Sequence, residues 1–273
     1  MLRAKKSLGQ NFLVDGHVIE KIVRAVEPSA SETIVEIGAG MGALTARLID
    51  KAGRLVAIEF DADLIPKLEE RFGASENFTL VEGDALRINL CDAIAPAKSA
   101  RVVANLPYNI STAILQRLLE QRVCVPEMVL MLQREVVDRI TAAPATSERG
   151  YLSVLVEAYA EVEKLFDVAP TAFRPVPKVW STVIRLRTHE RMAFEVKDEK
   201  LLWQLVSAGF AQRRKTIFNN LRSAPEDLRG SIETAGGAQS LLAEAFIEPR
   251  RRAETLTLEE WARLSASLEN HNS

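Results

Sequence analysis

The stretch TIVEIGAGMGALTARLID, residues 33–50, decides how this chain is read. It opens with a β-branched apolar run that fits a buried strand, and GALTARLID then takes up helical spacing. Between the two stand Gly38, Gly40 and Gly42. Glycines placed between a strand and its helix allow a tight turn and let a ligand approach the helix N-terminus. The stretch also matches G-x-G-x-x-A, the dinucleotide fingerprint.

Outward from this unit the alternation continues. RLVAIEFD (54–61), FTLVEGDAL (78–86), RVVANLPYN (101–109) and EMVLMLQ (127–133) read as strands. Helical stretches separate or follow them: ADLIPKLEERF (62–72), STAILQRLLEQ (111–121), with Ser111 available as N-cap, and REVVDRITA (134–142). Later strands are expected in YLSVLVEAYAEVEKLFDV (151–168) and STVIRLR (181–187). Strands alternating with helices predict an α/β domain with a largely parallel sheet. The polar segment THERMAFEVKDEK (188–200) marks a boundary, and beyond it residues 201–221, 237–246 and 257–268 are helical by period. The expected division is therefore residues 1–187 and a small all-helical domain, 188–273. No internal repeat or low-complexity tract interrupts the chain.

The bulk properties agree with two domains. At 273 residues the chain is just past the size at which one hydrophobic core stops growing. Apolar residues make up 47% and charged residues 26%, and the net charge is -2, which gives no global sign of a polyanionic partner. Nucleic-acid binding would have to rest on the local clusters Arg3-Lys5-Lys6, Arg213-Arg214-Lys215 and Arg250-Arg251-Arg252. Cys91 and Cys124 have no metal-ligand spacing and indicate no disulfide framework. His17, His189 and His271 are scattered, so no metal site is expected. The N-terminus lacks the apolar core of a signal peptide, and no apolar stretch approaches the ~20 residues of a membrane helix. A reducing cytoplasm is the expected compartment, with no membrane partner.

The strand ends carry the candidate chemistry. Glu59 closes the second strand about twenty residues after the glycines, where an acid would hold ribose hydroxyls. A nicotinamide dinucleotide and S-adenosylmethionine both fit this far. Glu36, two residues before Gly38, would repel a pyrophosphate and attract an amino group and a sulfonium. Asp84 ends the third strand and can either accept from an adenine amino group or cap a turn. Acids at three successive strand ends favour S-adenosylmethionine, because ligands of open α/β sheets gather there.

The fourth strand ends in Asn105-Leu106-Pro107-Tyr108 on the same edge. An exocyclic amine on a base is a poor nucleophile because its lone pair is spread into the ring. The Asn105 side-chain oxygen and the Leu106 carbonyl could accept its two hydrogens and aim the lone pair at an incoming methyl, with Pro107 fixing the bend. Tyr108 offers a face for stacking, worth roughly 1–3 kcal/mol per base. A strand-ending turn with a surface tyrosine is the alternative, and the glycine motif on the same edge favours the site.

At this point the chain resembles the ribosomal RNA adenine N6-dimethyltransferase family, most closely its small-subunit branch. The matching stretches are SLGQNFL (7–13), EIGAGMGALT (36–45), EGDAL (82–86), NLPYNIST (105–112), LQREVVDRI (132–140), FRPVPKV (173–179), FAQRRKTIFNNL (210–221) and RAETLTLEEW (252–261). The resemblance implies a class I, Rossmann-like methyltransferase domain using S-adenosylmethionine, with S-adenosylhomocysteine as product and no metal. It implies a helical rRNA-recognition domain and dimethylation of two adjacent adenines in a 3′-terminal hairpin of small-subunit rRNA, in an immature subunit, by a monomer. By the same resemblance Asn11 and Leu13 close over the cofactor, and Gly38, Gly40, Glu59, Asp84 and Asn105 line it, with Ala85 near its adenine. Phe173 corresponds to an aromatic facing Tyr108 across a flipped base. One departure is Trp180 before Ser181, where the family usually has an acid. Competing expectations are a large-subunit adenine methyltransferase of the macrolide-resistance type, a non-catalytic assembly factor, and an NAD-dependent oxidoreductase.

Overall fold

The computed structural model describes Lys5, residues 8–192 and residues 196–272. Arg3 and Lys6 of the first basic cluster lie outside the described residues. A short strand, β1 (Phe12–Leu13), precedes the parallel strands β2 (Thr33–Ile37), β3 (Arg54–Glu59), β4 (Phe78–Glu82), β5 (Arg101–Asn105) and β6 (Glu127–Gln133). They are followed by β7 (Ala160–Val168), β8 (Phe173–Arg174) and β9 (Ser181–Thr188). Among the described residues the main sheet runs β4-β3-β2-β5-β6-β9-β7. Its first five strands are parallel, and β9 lies antiparallel to both β6 and β7. β2 is buried at all five positions, which is why TIVEI is continuously apolar around one acid rather than alternating.

The order of the strands places the site. From β2 the chain steps outward to β3 and β4, then returns to the other side of β2 to form β5 and β6. The direction reverses between β2 and β5, and the crevice outside their carboxyl ends is where open α/β sheets bind ligands. Gly38 follows β2 and Asn105 ends β5, so the two motifs meet at this switch point.

Three local expectations are corrected. Residues 151–159 form a helix (Tyr151–Tyr159), and the strand begins only at Ala160. This helix is buried almost all round, so its apolar run shows no period by which to tell it from a strand. Its start is anchored by the Gly150 N–H donating to Ser153 Oγ at 2.9 Å, and Ser153 Oγ donating to the Arg139 carbonyl at 2.6 Å. Ser111 does not cap its helix: Ile110 holds that position, and the Ser111 hydroxyl donates to the Tyr108 carbonyl at 3.3 Å. Cys91 and Cys124 are joined as a disulfide, with their Cα atoms 5.6 Å apart. The tertiary fold makes this pairing. Gln121, beside Cys124, accepts from the Leu90 N–H at 2.6 Å and so holds the helix Leu90–Ala93, which carries Cys91, against it.

The chain divides into two compact units, residues 1–137 with 160–190, and residues 138–159 with 191–273. The first contains the main sheet. In the second every regular element among the described residues is helical or a 3-10 turn, and Trp261 is fully buried there, with the Phe210 ring 5.9 Å away. The helix 151–159, expected with residues 1–187, groups with this helical unit.

Candidate active site

The glycine turn after β2 needs left-handed backbone: φ is 73° at Gly38 and 74° at Gly42. The two glycines serve different ends. A Cβ on Gly38 would meet nothing within 4 Å, because it would stand in the open crevice. A Cβ on Gly42 would lie 2.5 Å from Phe72 Cε2, so this glycine lets the turn pack on the helix Ile65–Phe72. The first glycine keeps ligand space clear and the third closes the fold behind it.

A cleft of about 310 Å³ opens over this turn, lined by Phe12, Gly38, Glu59, Asp84, Asn105 and Tyr108 among others. Its size falls in the range of about 300–1,000 Å³ typical of small-molecule sites. Asn11, Gly40, Ala85, Leu106 and Pro107 also line it. Glu59 is largely occupied: Oε2 accepts from the Gly40 N–H at 2.7 Å, and Oε1 accepts from the N–H groups of Phe60 and Asp61 at 2.9 and 2.8 Å. A carboxylate offers about four lone-pair sites, so one on Oε2 is left for a ligand hydroxyl. In Asp84, Oδ1 accepts from the Leu86 N–H at 3.0 Å and forms the local turn, while among the described residues Oδ2 has only Arg87, at 3.9 Å. Asp84 is therefore both turn former and free acceptor.

Asn105 closes β5 with its amide oriented. Its Nδ2 donates to the Asn11 carbonyl at 3.1 Å, which leaves Oδ1 as the outward acceptor. Neither Asn105 Oδ1 nor the Leu106 carbonyl accepts a hydrogen bond among the described residues. Leu106 is held by its own N–H, which donates to the Met131 carbonyl at 3.3 Å, and its side chain is buried. Tyr108 shares a hydrogen bond of 2.7 Å with Ser181 Oγ, which holds the hydroxyl end of its ring in place. Burial pushes the Tyr108 hydroxyl above its ordinary value, against the effect of Ser181, so the ring stays neutral at physiological pH.

Three predicted residues stand elsewhere. Glu36 is 2% exposed and does not line the cleft; its Oε2 accepts from Thr45 Oγ1 at 2.6 Å. Burial pushes its carboxyl up to about 8, so it is mostly protonated near neutral pH. The charge on which it was read as discriminating between cofactors is absent, and Glu36 instead braces the glycine turn. Leu13 is buried in the core, and alternation along β1 gives the cleft to Phe12. Phe12 Cδ1 lies 3.3 Å from where a Cβ on Gly40 would be. Phe173 is 0% exposed and pairs with Leu13 across the β1–β8 ladder. It has no free face for a base and is reassigned to the core.

Sequence reasoning missed Asp61 and Ser181. Asp61, nearly buried, accepts from Lys5 Nζ at 2.5 Å and from Gln10 Nε2 at 2.7 Å. Burial pushes its carboxyl up, but the bonds from Lys5, Gln10 and the Asp63 N–H together hold it below its ordinary value. The signal available in the sequence was its place, two residues past a strand-end acid. In the helical unit, Arg251 pairs with Glu260 and donates to the Thr255 carbonyl at 2.6 Å, so it braces its own loop. Arg213, Arg214, Lys215, Arg250 and Arg252 are exposed. Among the described residues no helix is long and apolar enough to cross a membrane.

A mostly parallel sheet, a glycine turn at its switch point and acids at successive strand ends define a class I methyltransferase fold. The Plasmodium falciparum dimethyladenosine transferase crystal structure shares this fold with a TM-score of 0.79 at 22% identity, over 96% of this chain and 98% of that one. The 23S rRNA methyltransferase ErmE has a TM-score of 0.66 at 26% identity, over 95% of this chain and 100% of that one. The family model for ribosomal RNA adenine dimethylases matches residues 1–269, and the chain belongs to that family. Ribosomal RNA small subunit methyltransferase A of Clostridium botulinum is 42% identical over 95% of this chain and 92% of its own length. The Bacillus cytotoxicus protein of the same name is also 42% identical, over 98% of this chain and 92% of its own.

Proposed function

We propose that this chain dimethylates N6 of two adjacent adenines in a 3′-terminal hairpin loop of small-subunit rRNA, using S-adenosylmethionine. In this reading it works as a cytoplasmic monomer on an immature subunit, late in assembly. Family membership supports the rRNA adenine dimethylase activity. The observation that carries the chemistry is the pair of unpartnered acceptors, Asn105 Oδ1 and the Leu106 carbonyl, beside the space that Gly38 leaves open.

S-adenosylmethionine, when bound, supplies a methyl group activated by its sulfonium. The residues present suit it: the remaining lone pair on Glu59 Oε2 would hold one ribose hydroxyl, and Asp84 Oδ2, beside Ala85, would accept from the amino group of its adenine. The target adenine stacks on Tyr108. Its two N6 hydrogens are accepted by Asn105 Oδ1 and the Leu106 carbonyl, which draws the nitrogen toward a pyramidal shape and turns its lone pair toward the methyl. After one transfer, one N–H remains and one acceptor suffices, so the same clamp serves the second. Among the described residues the ionisable side chains lining the cleft are Glu59, Asp84 and Tyr108, and none is assigned to N6 as a base. None is required, because the N6 proton becomes acidic once the methyl is attached and leaves to solvent. Orientation and electrostatic placement carry the rate. The exposed arginines and Lys215 of the helical unit suit phosphate contacts.

The test is a labelled-methyl assay on separated, undermethylated small and large subunits. Label is expected in the small-subunit rRNA, as dimethyladenine. Asn105→Ala should lower turnover roughly 10²–10³-fold, as for loss of one preorganised polar group. Near-normal turnover in that variant would refute the clamp, and label confined to large subunits would refute the substrate.

A further inference from the structure

Trp180 stands where the family usually carries an acid, and its surroundings are built rather than incidental. It precedes β9 and is 47% exposed. Arg134, which follows β6, donates its N–H to the Trp180 carbonyl at 3.0 Å and sets its guanidinium carbon 5.1 Å from the ring centroid. That guanidinium is itself fixed by Asp167 Oδ2 at 2.5 Å, while Asp167 Oδ1 accepts from Thr182 Oγ1 at 2.6 Å. The indole is thus backed by a held cation while about half of the residue stays exposed. Single exposed aromatics are common and need no explanation. A ring whose partner is locked in place on one side is a platform.

Its position says what the platform is for. The next residue is Ser181, whose Oγ lies 2.7 Å from the Tyr108 hydroxyl in the proposed base site. Side chains alternate in direction along an extended chain, so Trp180 and Ser181 face opposite ways at the rim of the sheet. One base cannot lie on both Tyr108 and Trp180, but two successive nucleotides of a splayed strand can. The loop leading to Trp180, residues 169–179, has no acid, and its charged residues, Arg174 and Lys178, are both exposed. Bases in RNA loops are commonly held by stacking on aromatic and guanidinium planes.

We infer that Trp180, backed by Arg134, is a stacking subsite for the ribonucleotide base next to the adenine being methylated. This rests on the reading of the chain as an rRNA adenine methyltransferase. The subsite adds binding energy for the loop without touching the reacting atoms, so it acts on substrate affinity rather than on the chemical step.

Steady-state methylation of undermethylated small subunits by the full chain tests it, together with the dissociation constant for S-adenosylhomocysteine. Methylation by the unaltered protein is the control for the underlying reading; if it fails, that reading fails, whatever Trp180 does. Given that activity, Trp180→Ala should raise KM for the subunit about 5- to 150-fold, the range for loss of one stacked base. Turnover and S-adenosylhomocysteine affinity should stay within about two-fold, and Trp180→Phe should recover most of the KM. An unchanged KM in Trp180→Ala overturns the subsite. So does a Trp180→Phe variant as poor as Trp180→Ala, or a KM rise matched by an equal loss of S-adenosylhomocysteine affinity, which would mark a packing role.

Discussion

Replacing Glu36 by glutamine probes the acid beneath the glycine turn. Burial pushes its carboxyl from an ordinary 4.5 up to about 8; the Thr45 hydroxyl and N–H oppose the rise and the charge of Glu59 adds to it. The unfolded chain gives up this proton near pH 4.5 and the folded chain near 8. Across that interval the folded state holds a proton that the unfolded state lacks, so its stability falls as pH rises. At about 1.4 kcal/mol per pH unit, the full loss is on the order of 5 kcal/mol. Glutamine cannot ionise, yet its amide oxygen can accept the same Thr45 hydroxyl. Between about pH 5.5 and 8.5 the gap between the variant and the unaltered protein should therefore move in favour of the variant by on the order of 3 kcal/mol. In a folded unit of this size that is a relative shift in Tm on the order of 10 °C. Thermal melts followed by circular dichroism at several pH values, without ligand, measure it. A gap that stays constant with pH would mean that Glu36 is ionised in the folded protein across this range and would refute the reasoning.

Gly42→Ala should destabilise by at least 1–3 kcal/mol in urea titrations, because its Cβ would press on the Phe72 ring and φ is 74°. Gly38→Ala carries the same backbone strain but no clash, so its distinguishing loss should be in S-adenosylmethionine affinity, read by calorimetry. Tyr108→Phe leaves the buried Ser181 hydroxyl without its partner and should cost about 1–3 kcal/mol of stability while keeping the stacking face. Adding Ser181→Ala to it should restore most of that loss, since removing both partners is nearly neutral; a double variant no more stable than Tyr108→Phe alone would contradict this.

The fold was legible because its inner strands are buried on both faces, and continuous apolar runs bounded by glycines or polar turns announce themselves. Strand ends followed for the same reason, which is why Gly38, Glu59, Asp84 and Asn105 were placed on one edge. Spacing along the chain gives the end of a strand, but not which way each side chain turns. Glu36 lies inside β2, and the sheet that makes β2 a strand also buries its acid. Leu13 and Phe173 were read from a motif, while the two-residue β1–β8 ladder that sends both into the core is a long-range pairing no local pattern announces. Residues 151–159 failed differently: a helix covered on every side loses the period that identifies helices. The disulfide was hidden because Cys91 and Cys124 stand 33 positions apart, and the sequence between them carries no trace of the contact through Gln121.

The N-terminal segment joins the two halves of the site, which neither motif alone implies. Lys5 and Gln10 fasten to Asp61, just after β3, while the Asn11 carbonyl receives Nδ2 of Asn105 at the end of β5. The Asp61 N–H in turn donates to Glu59 Oε1. Hydrogen bonds, joined by the peptide link between Gln10 and Asn11, therefore run from the acid proposed to hold the cofactor's ribose, through Asp61, to the amide proposed to aim the adenine amine. The bond that turns Asn105 Oδ1 outward depends on where the Asn11 carbonyl lies, and that depends on the anchor at Asp61. Lys5 and Asp61 stay ionised together over a wide range, since the partner pushes Lys5 above its ordinary value and Asp61 is held below its own. The anchor persists at any pH near neutrality, so the orientation of the proposed catalytic amide is set by the fold before substrate arrives.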